Sequence, residues 1–220
     1  MEANNAAGAI ARPASRREGW ALAIVVGGAL VASGLNPTDR LTWFMEVVWV
    51  VIGLPLIAWR WSRFPLSLLL SCLLALHALV LIHGGAYTYA QTPLGFALRD
   101  AANAIGWEVT RNPWDRVGHF MQGFVPALLA RELLLRCTPL RRGAWVTYLC
   151  IAAALSFSAF FELLEWWSAL AFGADADAFL ATQGDVWDTQ WDMFLCLCGA
   201  IVSLALFSRV HDRQLGASGN

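Results

Sequence analysis

Residues 181–200 read ATQGDVWDTQWDMFLCLCGA, and they carry three aspartates, Asp185, Asp188 and Asp192, straight into an apolar run. What that run is follows from the rest of the chain. Of 220 residues, 58% are apolar and only 14% charged, and the mean hydropathy is +0.55, outside the range of soluble domains. The apolar residues gather into six stretches, 20–35, 41–59, 64–83, 117–135, 144–172 and 191–208. Crossing a hydrocarbon core of about 30 Å takes about 20 helical residues, and these stretches are of that order. The sequence therefore predicts an all-α polytopic transmembrane bundle of about six spans, with a single membrane domain over 20–208. Residues 1–19 are expected to be a disordered cytoplasmic segment and 209–220 a cytoplasmic tail. The first stretch is short and follows Arg12, Arg16 and Arg17; it reads as an uncleaved anchor rather than a signal peptide.

Orientation follows from arginine, the only strongly basic residue, because the chain has no lysine. Arg12, Arg16 and Arg17 precede span one, Arg60 and Arg63 link spans two and three, Arg136, Arg141 and Arg142 link four and five, and Arg209 and Arg213 follow six. Six alternating spans put all of these on one side, which the positive-inside tendency makes cytoplasmic, with both termini there. The chain is thus expected to be a multi-pass membrane protein, its partner the lipid bilayer. In the long outer connection, 94–107 reads as an amphipathic helix on the surface, with Phe96, Leu98, Ile105 and Trp107 toward lipid. None of the five cysteines falls in an outer loop, so a disulfide framework is not expected. No basic patch with interleaved aromatics lies outside the spans, and nucleic-acid binding has no support.

With topology assigned, the ionisable residues are lopsided. Glu46 lies near the outer end of span two, and His77 lies in span three, nearly two turns below His83. Asp115 and His119 open span four, with Gln122 next. Glu162 and Glu165 come about 27 and 32 Å along span five, and Asp185, Asp188 and Asp192 lead into span six. Residues three or four apart share a helix face, so Asp115 with His119, Glu162 with Glu165 and Asp188 with Asp192 each form a two-point clamp. Pro126 leaves the Gln122 carbonyl without its helical donor. A polar chamber near the outer surface is expected. Glu132 with Arg136, and Arg131, read as anchors at the cytoplasmic edge.

The segments WDRVGHFMQGFVPALLARELLLR (residues 114–136), FELLEWWSAL (161–170) and ADAFLATQGDVWDTQWDMFLCLCGA (176–200) resemble the YjdF-type bacterial inner-membrane family, a domain of unknown function. That resemblance covers almost the whole chain beyond residue 20 and implies a fold but no reaction. A looser similarity to VanZ-like membrane proteins rests on Asp115, Arg116, His119 and Phe120, on one of Glu162 and Glu165, and on Asp192 with Gly199. Cys196 stands where those proteins usually have asparagine.

Ionisable groups inside a bundle are costly and usually mark function. Close carboxylates need a proton, a cation or an arginine, and Arg99, Arg111 and Arg116 are at hand in the outer loops. Three readings follow. In the first, His119, Glu162, Glu165, Asp188 and Asp192 bind a divalent metal, supported by Asp115, Gln122, Asp185, Glu46 and His77, and act on a lipid-linked or periplasmic substrate. The second is a proton-coupled transporter or binding protein for a small molecule. The third is a structural polar network without a ligand. The sequence assigns no catalytic residue.

Overall fold

The computed structural model describes residues 10–173 and 177–216. The ends of the expected N-terminal segment and tail, 1–9 and 217–220, lie outside the described residues. Apart from an isolated bridge between Pro13 and Ser67, the regular elements of the described residues are helical: α1 (Arg16–Leu35), α2 (Arg40–Arg60), α3 (Leu68–Tyr87), a 3₁₀ turn (Tyr89–Gln91), α4 (Pro93–Ala104), α5 (Trp114–Cys137), α6 (Ala144–Phe172), the single turn α7 (Asp177–Leu180) and α8 (Asp188–Gln214).

Five helices, α1, α2, α3, α6 and α8, are long and apolar enough to cross a membrane. The expected fourth span, α5, is not among them, because Asp115, Arg116, Arg131, Glu132 and Arg136 dilute its apolar stretch. It is nonetheless the centre of the bundle. Its most extensive partner is α8, with α6 beside both and α3 on its other flank; α1 and α2 pack on α3. Small residues allow the α5–α8 approach: a Cβ on Gly123 would overlap the Cys196 carbonyl, and one on Gly199 the Phe120 carbonyl. Packing of this kind is how helices associate where lipid removes the hydrophobic drive between them. The core runs along the same seam through Val125, Leu128, Cys150, Ala154, Cys196 and Leu204. Large apolar side chains such as Trp20, Ile24, Trp145 and Leu170 remain exposed on the outside, as a lipid-facing surface requires.

Side-chain caps set several helix starts. Ser15 and Glu18 form a reciprocal capping box on α1, Asp39 accepts from the Thr42 N–H at 2.6 Å, and Ser67 accepts from the Leu70 N–H, each satisfying an amide the helix cannot. The Ser67 cap starts α3 four residues after the expected position 64. Ahead of α1, the Ala14 N–H donates to the Leu66 carbonyl and the Leu68 N–H to the Arg12 carbonyl, so residues 12–14 lie against the chain entering α3. At the far end α8 continues through Gln214, six residues past the expected boundary at 208. In the long connection before α5 a helix does form, as α4, ending at Ala104; Leu94 and Leu98 on it, and Ile105 and Trp107 just past it, are exposed. Phe96 is instead partly covered, with the Arg99 guanidinium 4.9 Å from its ring centre.

Candidate functional site

The first turns of α5 and α8 are held at one level by their preceding loops. The Asn112 N–H donates to Gln183 Oε1 at 2.9 Å, and Gln183 Nε2 donates back to the Asn112 carbonyl at 3.0 Å. Asn112 Oδ1 accepts from the Trp114 N–H at 3.0 Å, while its Nδ2 donates to the Thr92 carbonyl. Ala181 and Gln183 adopt left-handed backbone with φ of 50° and 48°, a conformation that costs a non-glycine residue about 1–3 kcal/mol and persists only where contacts impose it. Neither Asn112 nor Gln183 stood out in the sequence; an amide clip between two loops has no local signature.

This clip brings two arginines over the aspartates. Arg111 donates to Asp188 at 2.7 Å, to Asp115 at 3.1 Å and to the Ala181 carbonyl at 3.3 Å. Arg116 reaches Asp185 at 2.8 Å, Asp192 at 2.9 Å and Asp188 at 3.2 Å. Arg99 takes no part and pairs with its neighbour Asp100. Asp188, expected as a metal ligand, and Asp185 therefore belong to an arginine-held layer.

Beneath that layer Asp115, His119 and Asp192, all buried, each offer a ligand atom within 4.8 Å of the others. His119 Nδ1 is 3.1 Å from Gln122 Oε1, a contact that places the ring proton on Nδ1. Nε2 then faces Asp115 Oδ1 at 3.4 Å and Asp192 Oδ2 at 3.8 Å. One oxygen of Asp115 and one of Asp192 converge on that nitrogen, while the other oxygen of each accepts from Arg111 or Arg116. Nitrogen and oxygen ligands at 2.0–2.2 Å from a tetrahedral ion lie about 3.4 Å apart; the Asp115 contact has that separation, and the Asp192 contact at 3.8 Å is longer. Asp115, expected as a supporting residue, is thus part of the central group.

The remaining acids surround it. Glu162 is buried, and its Oε1 has no hydrogen-bond partner while lying 3.8 Å from His119 Nδ1. Glu165 faces away from the arginines, into a cavity of about 440 Å³ lined also by Glu46, His77, Tyr89, Asp115, His119 and Gln122. Glu46 is 4% exposed, with the Tyr89 hydroxyl beside it. His77 Nε2 has no partner. Tyr89 packs between Gly84 and Gly118, where a Cβ would strike its ring. Burial, with Glu46 and Asp115 adding to it, pushes the Tyr89 hydroxyl well above its ordinary range, so it is a neutral donor. The expected cluster is therefore one neighbourhood, divided into an arginine–aspartate layer, a carboxylate–histidine centre and a cavity wall.

A second polar group at the opposite end of α5 corrects the reading of Glu132 and Arg131 as interfacial anchors. Glu132 is 0% exposed. It accepts from the Ser67 N–H at 3.1 Å, Ser67 Oγ at 2.6 Å, Arg136 at 2.6 Å and His211 Nε2 at 2.9 Å. Arg131 lies 3.3 Å from His211 Nδ1 and donates to Asp212 at 2.6 Å, which also accepts from Arg142 at 2.7 Å. An i,i+4 acid–arginine pair at a helix end looks solvated in a sequence. Here α3 and α8 cover it.

The family described as a predicted membrane protein, DUF2238, matches residues 19–213. The chain is 47% identical over 190 residues to the inner membrane protein YjdF of Escherichia coli (strain K12), across 86% of this chain and 88% of that one. No solved structure matches.

Proposed function

We propose that this chain, which belongs to the DUF2238 family of membrane proteins and is a multi-pass protein of the inner membrane, binds a divalent metal ion through Asp115, His119 and Asp192. The observation that carries the reading is His119: its Nδ1 is committed to Gln122, while its Nε2 faces the oxygens of Asp115 and Asp192 that the arginines leave free. A hydrogen bond from the non-ligating nitrogen is the usual way a metal-binding imidazole is oriented. Glu162, with one oxygen free, lies 3.8 Å from Nδ1, on the other side of the ring from the three ligand atoms, and adds negative charge beside them.

The proposed setting is the periplasmic side of a six-span bundle with both termini in the cytoplasm. Supporting it, α5 has 24 residues, about 36 Å of helix, and lies among α3, α6 and α8. If it crosses, the arginine-rich links and both chain ends share one side. Bound there, a divalent ion would supply Lewis-acid or metal-hydroxide chemistry to a lipid-linked or periplasmic substrate.

A ligand that binds the folded state raises its stability, by about 2.7 kcal/mol at a hundredfold excess over Kd. Protein purified in detergent and stripped with chelator should melt at a higher temperature when zinc, manganese or magnesium is restored. His119→Ala and Asp192→Asn should each abolish that rise. No rise with any of the three ions would contradict the reading. Glu46 and Glu165, which line the cavity without a paired cation among the described residues, favour proton exchange as a second reading; stabilisation by a solute with no metal added would select it.

A further inference from the structure

We infer that the cavity beside the cluster binds an amphiphile with a cationic amine headgroup and one long hydrocarbon chain. The head lies against Glu46 and Glu165, and the chain runs along α2. This goes beyond the metal reading and does not depend on it, because neither glutamate belongs to the Asp115–His119–Asp192 group.

Shape comes first. The cavity, of about 440 Å³, follows α2 from Glu46 to Ala58 and ends near Trp61 and Arg16. Twelve residues of helix span about 18 Å, so the space is long and narrow rather than compact. Past its acidic end the walls are Ala23, Val26, Val50, Leu54, Ile57 and Leu74, against which a polar solute would leave its hydrogen-bonding groups unsatisfied. A hydrocarbon chain suits them, and the surrounding bilayer supplies such chains.

Charge then selects the head. At the acidic end Glu46, Asp115 and Glu165 line the space. Arg111 and Arg116 are turned away into the aspartate layer and do not line it. The carboxylate of Glu46 is 4% exposed and forms no ion pair among the described residues. A phosphate or carboxylate head would add an anion beside Glu46 and Glu165, which have no ion pair among the described residues, whereas an ammonium supplies a cation and up to three donors. The one arginine on the lining, Arg16, sits at the opposite end.

Gly53 provides a handle on the chain. It lines the cavity, and a Cβ built there meets nothing within 4 Å. It stands seven residues beyond Glu46, about 10 Å along the helix, so a larger side chain would occupy the path of the hydrocarbon without reaching the acids.

The test is binding of radiolabelled dodecylamine to the full chain in phosphatidylcholine nanodiscs, with empty nanodiscs subtracted, in chelator. Lauric acid and ethylamine serve as probes of the same chain with an anionic head and of the cationic head without the chain. The expected result is saturable binding of dodecylamine near one per chain, with neither comparator competing. Gly53→Phe should weaken it at least about tenfold, and Glu46→Gln by a similar factor, the effect of losing a charged hydrogen bond. Glu46→Gln keeps the side-chain shape and carries the test should Gly53→Phe fail to fold. Equal competition by lauric acid, or binding unchanged in both variants, would overturn the inference. The metal reading is scored separately: Gly53→Phe should keep the metal-dependent rise in melting temperature, and Asp192→Asn should lose that rise while still binding dodecylamine.

Discussion

Two buried histidines, His119 and His211, occupy opposite ends of the same helical bundle and have opposite surroundings. The two nitrogens of His211 are matched in kind, with Nε2 against the Glu132 carboxylate and Nδ1 against the Arg131 guanidinium. One nitrogen donates, the other accepts, and the neutral ring is fully satisfied. Both nitrogens of His119 face oxygen: Gln122 on one side, Asp115 and Asp192 on the other. Around His211 two acids, Glu132 and Asp212, meet three arginines. Around His119 Asp115, Asp185, Asp188 and Asp192 share two arginines, and Glu162 has none. A closed network is what structure alone requires. The open one leaves a carboxylate oxygen of Asp115 and one of Asp192 facing an imidazole nitrogen, and that difference is the reason to place function at the His119 end.

The sharpest way to break the comparison is to cut the closed network. Glu132→Ala would leave Arg136, His211 and two Ser67 donors facing a void, and removing one partner of a buried charge pair costs about 3–5 kcal/mol. Folded yield and melting temperature in detergent should both fall steeply, with or without metal. Next comes the seam joining the two ends. Gly123→Ala would press a methyl group onto the Cys196 carbonyl, and overpacking of that kind costs about 1–3 kcal/mol; its melting temperature should drop in chelator and in metal alike.

Changes around His119 should behave differently. Glu162→Gln removes a charge with an unpartnered oxygen, so the melting temperature in chelator should hold or rise while the metal-dependent gain shrinks. A loss in chelator as large as that of Glu132→Ala would make the two ends equivalent and end the contrast. The smallest effect is expected from Asp188→Asn, since Arg111 retains Asp115 and Asp185, and Arg116 retains Asp185 and Asp192. Its melting temperature should move by less than the equivalent of about 1 kcal/mol, with metal binding kept.

What the sequence made legible follows from what apolar runs report. Hydropathy marks the lipid-immersed part of a helix, so 144–172 coincides with α6, whereas 191–208 misses the polar turns at both ends of α8. Those turns hold Asp188, His211 and Asp212, and so the Glu132–His211 network falls partly in the expected domain and partly in its expected tail. Helical spacing paired Asp115 with His119 and located Asp192 correctly at the same level. It gave no means of seeing that Arg111 and Arg116 would claim Asp185 and Asp188, because that pairing crosses about 70 residues and depends on the clip between Asn112 and Gln183. Tyr89 was missed for a related reason: its place is set by Gly84 and Gly118, on helices that meet only in the fold.

The central claim is that the carboxylate–histidine centre holds an ion, and elemental analysis of protein purified without chelator tests it most directly. The account predicts close to one divalent ion per chain in the native protein and none in Asp192→Asn of equal folded yield. Native protein free of stoichiometric metal, or an Asp192→Asn variant that retains it, would contradict the account.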